Sequence, residues 1–254
     1  MRKTLFSLIG IMGILLFSLP ANAFTFTGTA SGKWVNVTST AYNDVYSVNN
    51  NDNDGVASFN WGIGAPGSFD NEFSFDGVGS DGGAGWEASL DEAFLIGDFD
   101  YRNGSTYYSN GIEGVDLALT LAITDPVDSV ENHEFGFSIT NTPNDTGNPV
   151  TDGDIVTATT LFSGTDFVVG GTEYTLELLG FSIDGGNTII SDFSSPEGAT
   201  ASAGIYGRIT SSTPDTSATP EPATIFLLGS GMVGVSLRKR FMRNRKSSAD
   251  CENV

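Results

Sequence analysis

Between residues 24 and 212 apolar side chains recur at every second position, and this rhythm constrains the fold more than any other feature of the chain. Val115, Leu117, Leu119, Leu121 and Ile123 alternate with Asp116, Ala118, Thr120 and Ala122. Phe135, Phe137 and Ile139 alternate with Gly136 and Ser138, and Ala57, Phe59 and Trp61 with Ser58 and Asn60. Successive side chains of a strand point to opposite faces, so each run predicts a strand with one face buried. Tyr174, Leu176 and Leu178 keep the same beat until its phase flips to Leu179, Phe181 and Ile183, which predicts a bulge or a strand that changes sheets. Asp184-Gly185-Gly186-Asn187 then supplies turn chemistry. No long helical period competes, and only Glu87 to Glu92 suits a short helical turn. The expected fold is all-β, an antiparallel sandwich or jelly-roll-like single domain over 24–212.

That domain must hold itself together by its core. The one cysteine, Cys251, lies far downstream, so neither a disulfide nor a thiol nucleophile is available to the body. Its charge is one-sided: Lys33, Arg102 and Arg208 are the only basic residues from Phe24 to Pro222, against 29 acids, a formal charge of −26. Such a body repels nucleic acid and anionic membrane surfaces, which removes DNA and RNA from the candidate partners.

The two ends carry different chemistry. Met1-Arg2-Lys3, an apolar core from Leu5 to Leu19 and Ala21-Asn22-Ala23 have the order of a secretory signal peptide over 1–23, with Ala21 and Ala23 as the cleavage signature for signal peptidase after export by the Sec route. At the other end a polar linker, 213–219, leads to Pro220-Glu221-Pro222 and then to an apolar run from Ala223 to Leu237. As a helix that run spans about 22 Å, short of the roughly 30 Å hydrocarbon layer. Six basic residues between Arg238 and Lys246, opening with Arg238, Lys239 and Arg240, form the stop that would orient it with the cluster on the cytoplasmic side. Gly229, Gly231 and Gly234 weaken a soluble helix but allow close approach of another helix in a bilayer. The expectation is a short transmembrane helix, used before processing.

The string TPEPATIFLLGSGMVGVSLRKR resembles the PEP-CTERM sorting signal of Gram-negative bacteria, here over 220–246. That resemblance implies recognition and cleavage by an exosortase, a multi-pass membrane protease, in species that make exopolysaccharide and biofilm matrix. Such signals usually stop soon after the basic cluster, whereas a polar tail, 247–254, continues here. The body has a resemblance of its own. Trp61-Gly62 with Ser68 and Phe75, Phe94-Leu95-Ile96-Gly97 with Tyr101 and Asn103-Gly104-Ser105, Asp116-Leu117-Ala118-Leu119, and Phe135-Gly136-Phe137 with Thr142-Pro143-Asn144 resemble the choice-of-anchor K domain. It implies an exported domain and transfers no catalytic residue.

Candidate chemistry is sparse. His133, the single histidine, lacks companions for catalysis or metal binding and suits a surface or strand-edge position. No Gly-x-Ser-x-Gly elbow occurs, and 29 acids single out no glycosidase pair. Asn50-Asn51-Asp52-Asn53-Asp54-Gly55 places the oxygens of Asn50, Asp52 and Asp54 at alternate positions with glycine sixth, as a calcium loop does; Trp61 at the twelfth position rules out an EF-hand and leaves a looser Ca2+ loop or a polar turn. Asp152-Gly153-Asp154 is a weaker version of the same idea. Tyr101, Tyr107, Tyr108 and Trp86 lie in Gly- and Asn-rich sequence where sugar stacking or core packing could use them, and packing is favoured. The expected function is therefore non-enzymatic: an exported, exosortase-processed surface or matrix protein with a structural or adhesive role tied to exopolysaccharide. A glycan- or calcium-binding module is the alternative, and an extracellular glycoside hydrolase the third.

Overall fold

The computed structural model describes residues 24–40, 45–50, 55–107, 111–161 and 166–211, all within a unit spanning Ala23–Pro214, and every regular element in them is a β-strand. In chain order these are β1 (Thr25–Ser39), β2 (Tyr46–Asn49), β3 (Val56–Trp61), β4 (Ile63–Gly64), β5 (Asn71–Gly77), β6 (Trp86–Ser89), β7 (Ala93–Asn103) and β8 (Thr106–Tyr107). They continue as β9 (Ile112–Asp125), β10 (Ser129–Thr140), β11 (Asp154–Ala158), β12 (Phe167–Val169), β13 (Thr172–Ser182), β14 (Asp192–Ser195) and β15 (Ala199–Ser211). One sheet runs β14-β11-β10-β9-β1-β6, the other β12-β13-β15-β7-β5-β3-β2, and β4-β8 form a small ribbon. Every pairing is antiparallel. This is the all-β sandwich that the alternation predicts.

The inward faces of the two sheets meet in an aromatic core. Phe73 of β5 has no exposed surface, and four rings from three other strands surround it: Trp61 at 4.7 Å, Tyr101 at 4.8 Å, Phe99 at 5.1 Å and Trp34 at 5.8 Å between centroids. Phe99 extends this cluster to Phe181 and Phe193. Burying each large ring against several others supplies the stabilisation that a disulfide would otherwise add.

The strand β1 is long and easily overlooked in the sequence. Its inward positions are Phe26, Gly28, Ala30, Gly32 and Trp34, so the apolar beat is broken by small residues. A Cβ at Gly32 would sit 2.5 Å from the Phe75 ring and 2.8 Å from Leu117. Small residues in β1 are thus the complement of large rings in its neighbours.

The phase flip in β13 is a bulge: the register against β15 shifts between Leu178 and Gly180. Gly180 has φ 129°, which side-chain-bearing residues rarely adopt, and Phe181 then returns to the core with no exposed surface. Ile183 does not follow it inward. It is 73% exposed, because β13 ends at Ser182 and the chain turns away from the sandwich. The segment Glu87 to Glu92 is likewise corrected from a helical turn to the end of β6 and a tight turn, with Asp91 at φ 63° and its N–H donated to the Ile209 carbonyl.

The body's three basic residues all lie within paired strands. Lys33 is opposite Ala118 in β1, Arg102 pairs with Glu72 at 2.6 Å from β7, and Arg208 with Glu177 at 2.5 Å from β15.

Candidate functional site

A buried polar cluster lies at one end of the sandwich, where β7, β11 and the Ser195–Ala199 turn converge. Alternation sends Tyr101 and Asn103 inward from β7, beyond the last phenylalanine. Tyr101 Oη donates to Asp154 Oδ2 at 3.1 Å, and the Thr142 N–H donates to Asp154 Oδ1 at 2.7 Å. Asn103 Nδ2 donates to the Ser195 carbonyl at 3.0 Å, and the Gly104 N–H to Asn71 Oδ1 at 2.6 Å. Ser105 Oγ donates to Glu197. Beside these groups is a cavity of about 150 Å3 lined by Asn71, Thr142, Asn144, Asp154 and Glu197.

Burial pushes the Asp154 carboxyl up to about 6 against the two hydrogen bonds that favour its charged form, and the nearby Glu197 adds to the rise. Burial, with the Asp154 charge, pushes the Tyr101 phenol up as well. A carboxyl that keeps its proton to mildly acidic pH beside a second carboxylate has the electrostatics of an acid–base pair. Both of its oxygens, however, already accept protein donors. The geometry is that of a clamp that fixes the Asn141–Gly153 loop against β7. Asp152 braces the same loop: it accepts from Thr146 Oγ1 at 2.6 Å and the Thr146 N–H at 3.1 Å, and these bonds hold its carboxyl below the usual range.

The candidate calcium loop, Asn50 to Gly55, divides across the limit of the described residues. Asn50 lies inside it and is already engaged: its Oδ1 accepts the Trp34 N–H and its Nδ2 donates to the Trp34 carbonyl, both at 2.8 Å. The side-chain amide thus imitates a neighbouring strand for the residue that anchors the core. Asp52 and Asp54 lie outside the described residues, within which no group of three or more His, Cys, Asp or Glu is placed to hold a metal. Asn50→Ala should cost about 1–2 kcal/mol by orphaning both Trp34 backbone groups, measured by urea unfolding. A loss below about 0.5 kcal/mol would contradict that role.

His133 is not on the surface, although among the described residues the stretch of β10 that carries it pairs with β9 alone. It shares the inward parity of Phe135 and Phe137 in β10, is 4% exposed, and stands 5.9 Å from the Phe167 ring centroid. Neither ring nitrogen has a hydrogen-bond partner, and burial lowers its pKa to about 4. Of the aromatic candidates, Tyr101 and Trp86 are core residues, Tyr107 is 54% exposed on β8, and Tyr108 lies outside the described residues. The Tyr101–Asp154 clamp itself was beyond sequence reasoning, since its partners are 53 residues apart.

The remaining sequence-predicted positions, Ala21 and Ala23, Pro220, Glu221 and Pro222, and Arg238, Lys239 and Arg240, also lie outside the described residues, as does the apolar run Ala223–Leu237. No helix among the described residues is long and apolar enough to cross a membrane. Comparison with protein families finds the PEP-CTERM protein-sorting motif at residues 218–240. No curated protein matches the chain. The motif marks an exported protein that is targeted to an exosortase and processed from a membrane-anchored form to the cell surface.

Proposed function

We propose that this chain is a non-enzymatic surface or matrix protein of a Gram-negative bacterium, with a structural or adhesive role in an exopolysaccharide or biofilm layer. On this reading the sandwich is a choice-of-anchor K type domain, carried out by the Sec route and released from its short C-terminal helix by an exosortase. The observation that carries the proposal is the sorting motif at 218–240, immediately downstream of the acid-rich sandwich. Two features support it. The one buried histidine stands among aromatic rings, away from the Asp154 pair, and the oxygens of Asp154 are taken up by Tyr101 and Thr142. A body of charge −26 also stays soluble and repels its own copies, which suits a protein displayed at high density.

Glu221→Ala tests the sorting step. The expected result is an exported precursor that keeps its C-terminal segment, accumulates in the membrane fraction and is lost from the surface, read by mass spectrometry of the C-terminus and by cell fractionation. Unchanged processing and display would overturn the proposal.

A further inference from the structure

On the outer face of the seven-stranded sheet, β7, β15 and the turn after β13 enclose an open groove of about 480 Å3. One wall is a preformed turn: Ser182 Oγ donates to Asp184 Oδ1 at 2.8 Å, the Gly186 N–H to Ser182 Oγ at 2.9 Å, and the Thr188 N–H to Asp184 Oδ1 at 2.9 Å. This turn holds Ile183 out over the groove, 73% exposed. Beside it the Tyr206 ring lies against Gly186 and Gly204, with Leu95 alongside, so the groove has an apolar floor and rim.

Its polar edge is acidic. Asp98 and Asp100 line it from alternate positions of β7, and Asp76 of β5 stands directly across from Asp98. Like charges in register destabilise a sheet, and the body's cations do not relieve them here: Arg102 is held by Glu72 and Arg208 by Glu177. Ser80 donates to Asp76 and Ser202 to Asp100, whereas among the described residues the Asp98 carboxylate has no hydrogen bond or ion pair. A local conflict of this kind is expected where a ligand resolves it. The backbone positions that carry these carboxylates are about 5 Å apart across the strands and about 7 Å apart along one, and among the described residues no group of three or more His, Cys, Asp or Glu is placed to hold a metal ion. The complement of these carboxylates is an extended ligand with spaced positive charge and an apolar face.

We propose that this groove binds an amino-sugar polysaccharide with free amines, its ammonium groups against Asp98 and Asp100 and the apolar face of a sugar ring against Tyr206 and Ile183. The choice of a polysaccharide rests on the matrix role proposed above. Uronate, sulfate and phosphate polymers are repelled by the same carboxylates.

Calorimetry on the protein purified from its host, with short glucosamine oligomers as the probe, tests this assignment. Glucosamine oligomers should bind at least about tenfold more tightly than N-acetylated or uronate oligomers of the same length. Asp98→Asn should weaken binding about tenfold and Ile183→Ser several-fold, while Glu134→Gln, which removes the same charge from the opposite sheet, leaves it unchanged. Asp98→Asn relieves repulsion and should melt no lower than the parent, so its loss of binding is not loss of fold. Equal binding of acetylated oligomers, no binding at all, or an equal effect of Glu134→Gln would overturn the proposal, the last in favour of diffuse charge attraction. A calcium titration abolished by Asp98→Asn, without glycan binding, would overturn it in favour of a metal. Failure here leaves processing and display untouched, and failure of the Glu221→Ala test leaves binding of the purified protein untouched.

Discussion

Phe73→Ala should destabilise the sandwich by about 3–5 kcal/mol, read as a fall in the urea midpoint at constant slope. Phe73 has no exposed surface, and its ring is the one that Trp34, Phe59, Trp61, Phe99 and Tyr101 all pack against. Truncation removes the transfer free energy of the ring and leaves a hole between two sheets whose backbones are fixed by their ladders. The surrounding rings cannot close that hole without breaking register. Ile183→Ala, exposed on the far side of the sheet, is the contrast and should stay within about 0.5 kcal/mol. Similar losses for the two variants would mean that Phe73 is not at the centre of the core.

The second large effect is hidden until one of two residues is replaced. His133 has a native pKa of about 4 and an ordinary value of 6.5, so between these values the unfolded chain binds more protons and stability falls as pH falls. Asp154 has a native pKa of about 6 and an ordinary value of 3.8, so in nearly the same window the native state binds more protons and stability falls as pH rises. Each effect amounts to about 3 kcal/mol at full extent, and the two oppose each other. Relative to the parent, His133→Leu should therefore gain about 3 kcal/mol on going from pH 7 to pH 4, and Asp154→Asn should lose about as much over the same range. Comparing each variant with the parent at each pH cancels the titration of the other acids. Urea unfolding at several pH values checks this, and parallel curves for all three proteins would show that neither group is shifted. Leucine at position 133 should also be the more stable choice at neutral pH, because it buries no unpartnered nitrogens.

The residues that gave the fold away are those whose beat is made of large side chains. In β9, Val115 to Ile123 alternate cleanly and are buried as expected, and the phase flip at Leu178–Gly180 is a bulge in the ladder. β1 was hidden because Gly28, Ala30 and Gly32 carry no hydrophobic signal, although their inward parity is perfect. Whether such a position is buried depends on the ring that fills the space above it, and Phe75 is 43 residues away in sequence from Gly32. His133 misled for the opposite reason. A titratable side chain reads as a surface residue, yet its parity with Phe135 was decisive. The groove and the Asp154 clamp depend on pairings between distant strands, and those are set by topology rather than by any local pattern. The sorting motif, by contrast, is local and contiguous, and so it was legible from residue order alone.

The placement of Lys33, Arg102 and Arg208 has a consequence for survival outside the cell. A protease that cuts after basic residues meets three sites between Phe24 and Pro222, and all three lie in the interior of paired strands, none in a turn. Cleavage needs an extended segment free of its neighbours, so each site is shielded until its sheet opens. Trypsin-like digestion of the body then proceeds only as fast as the sandwich unfolds or in proportion to the fraction unfolded, and the scarcity of cations that makes the protein acidic also makes its lifetime a direct function of its core.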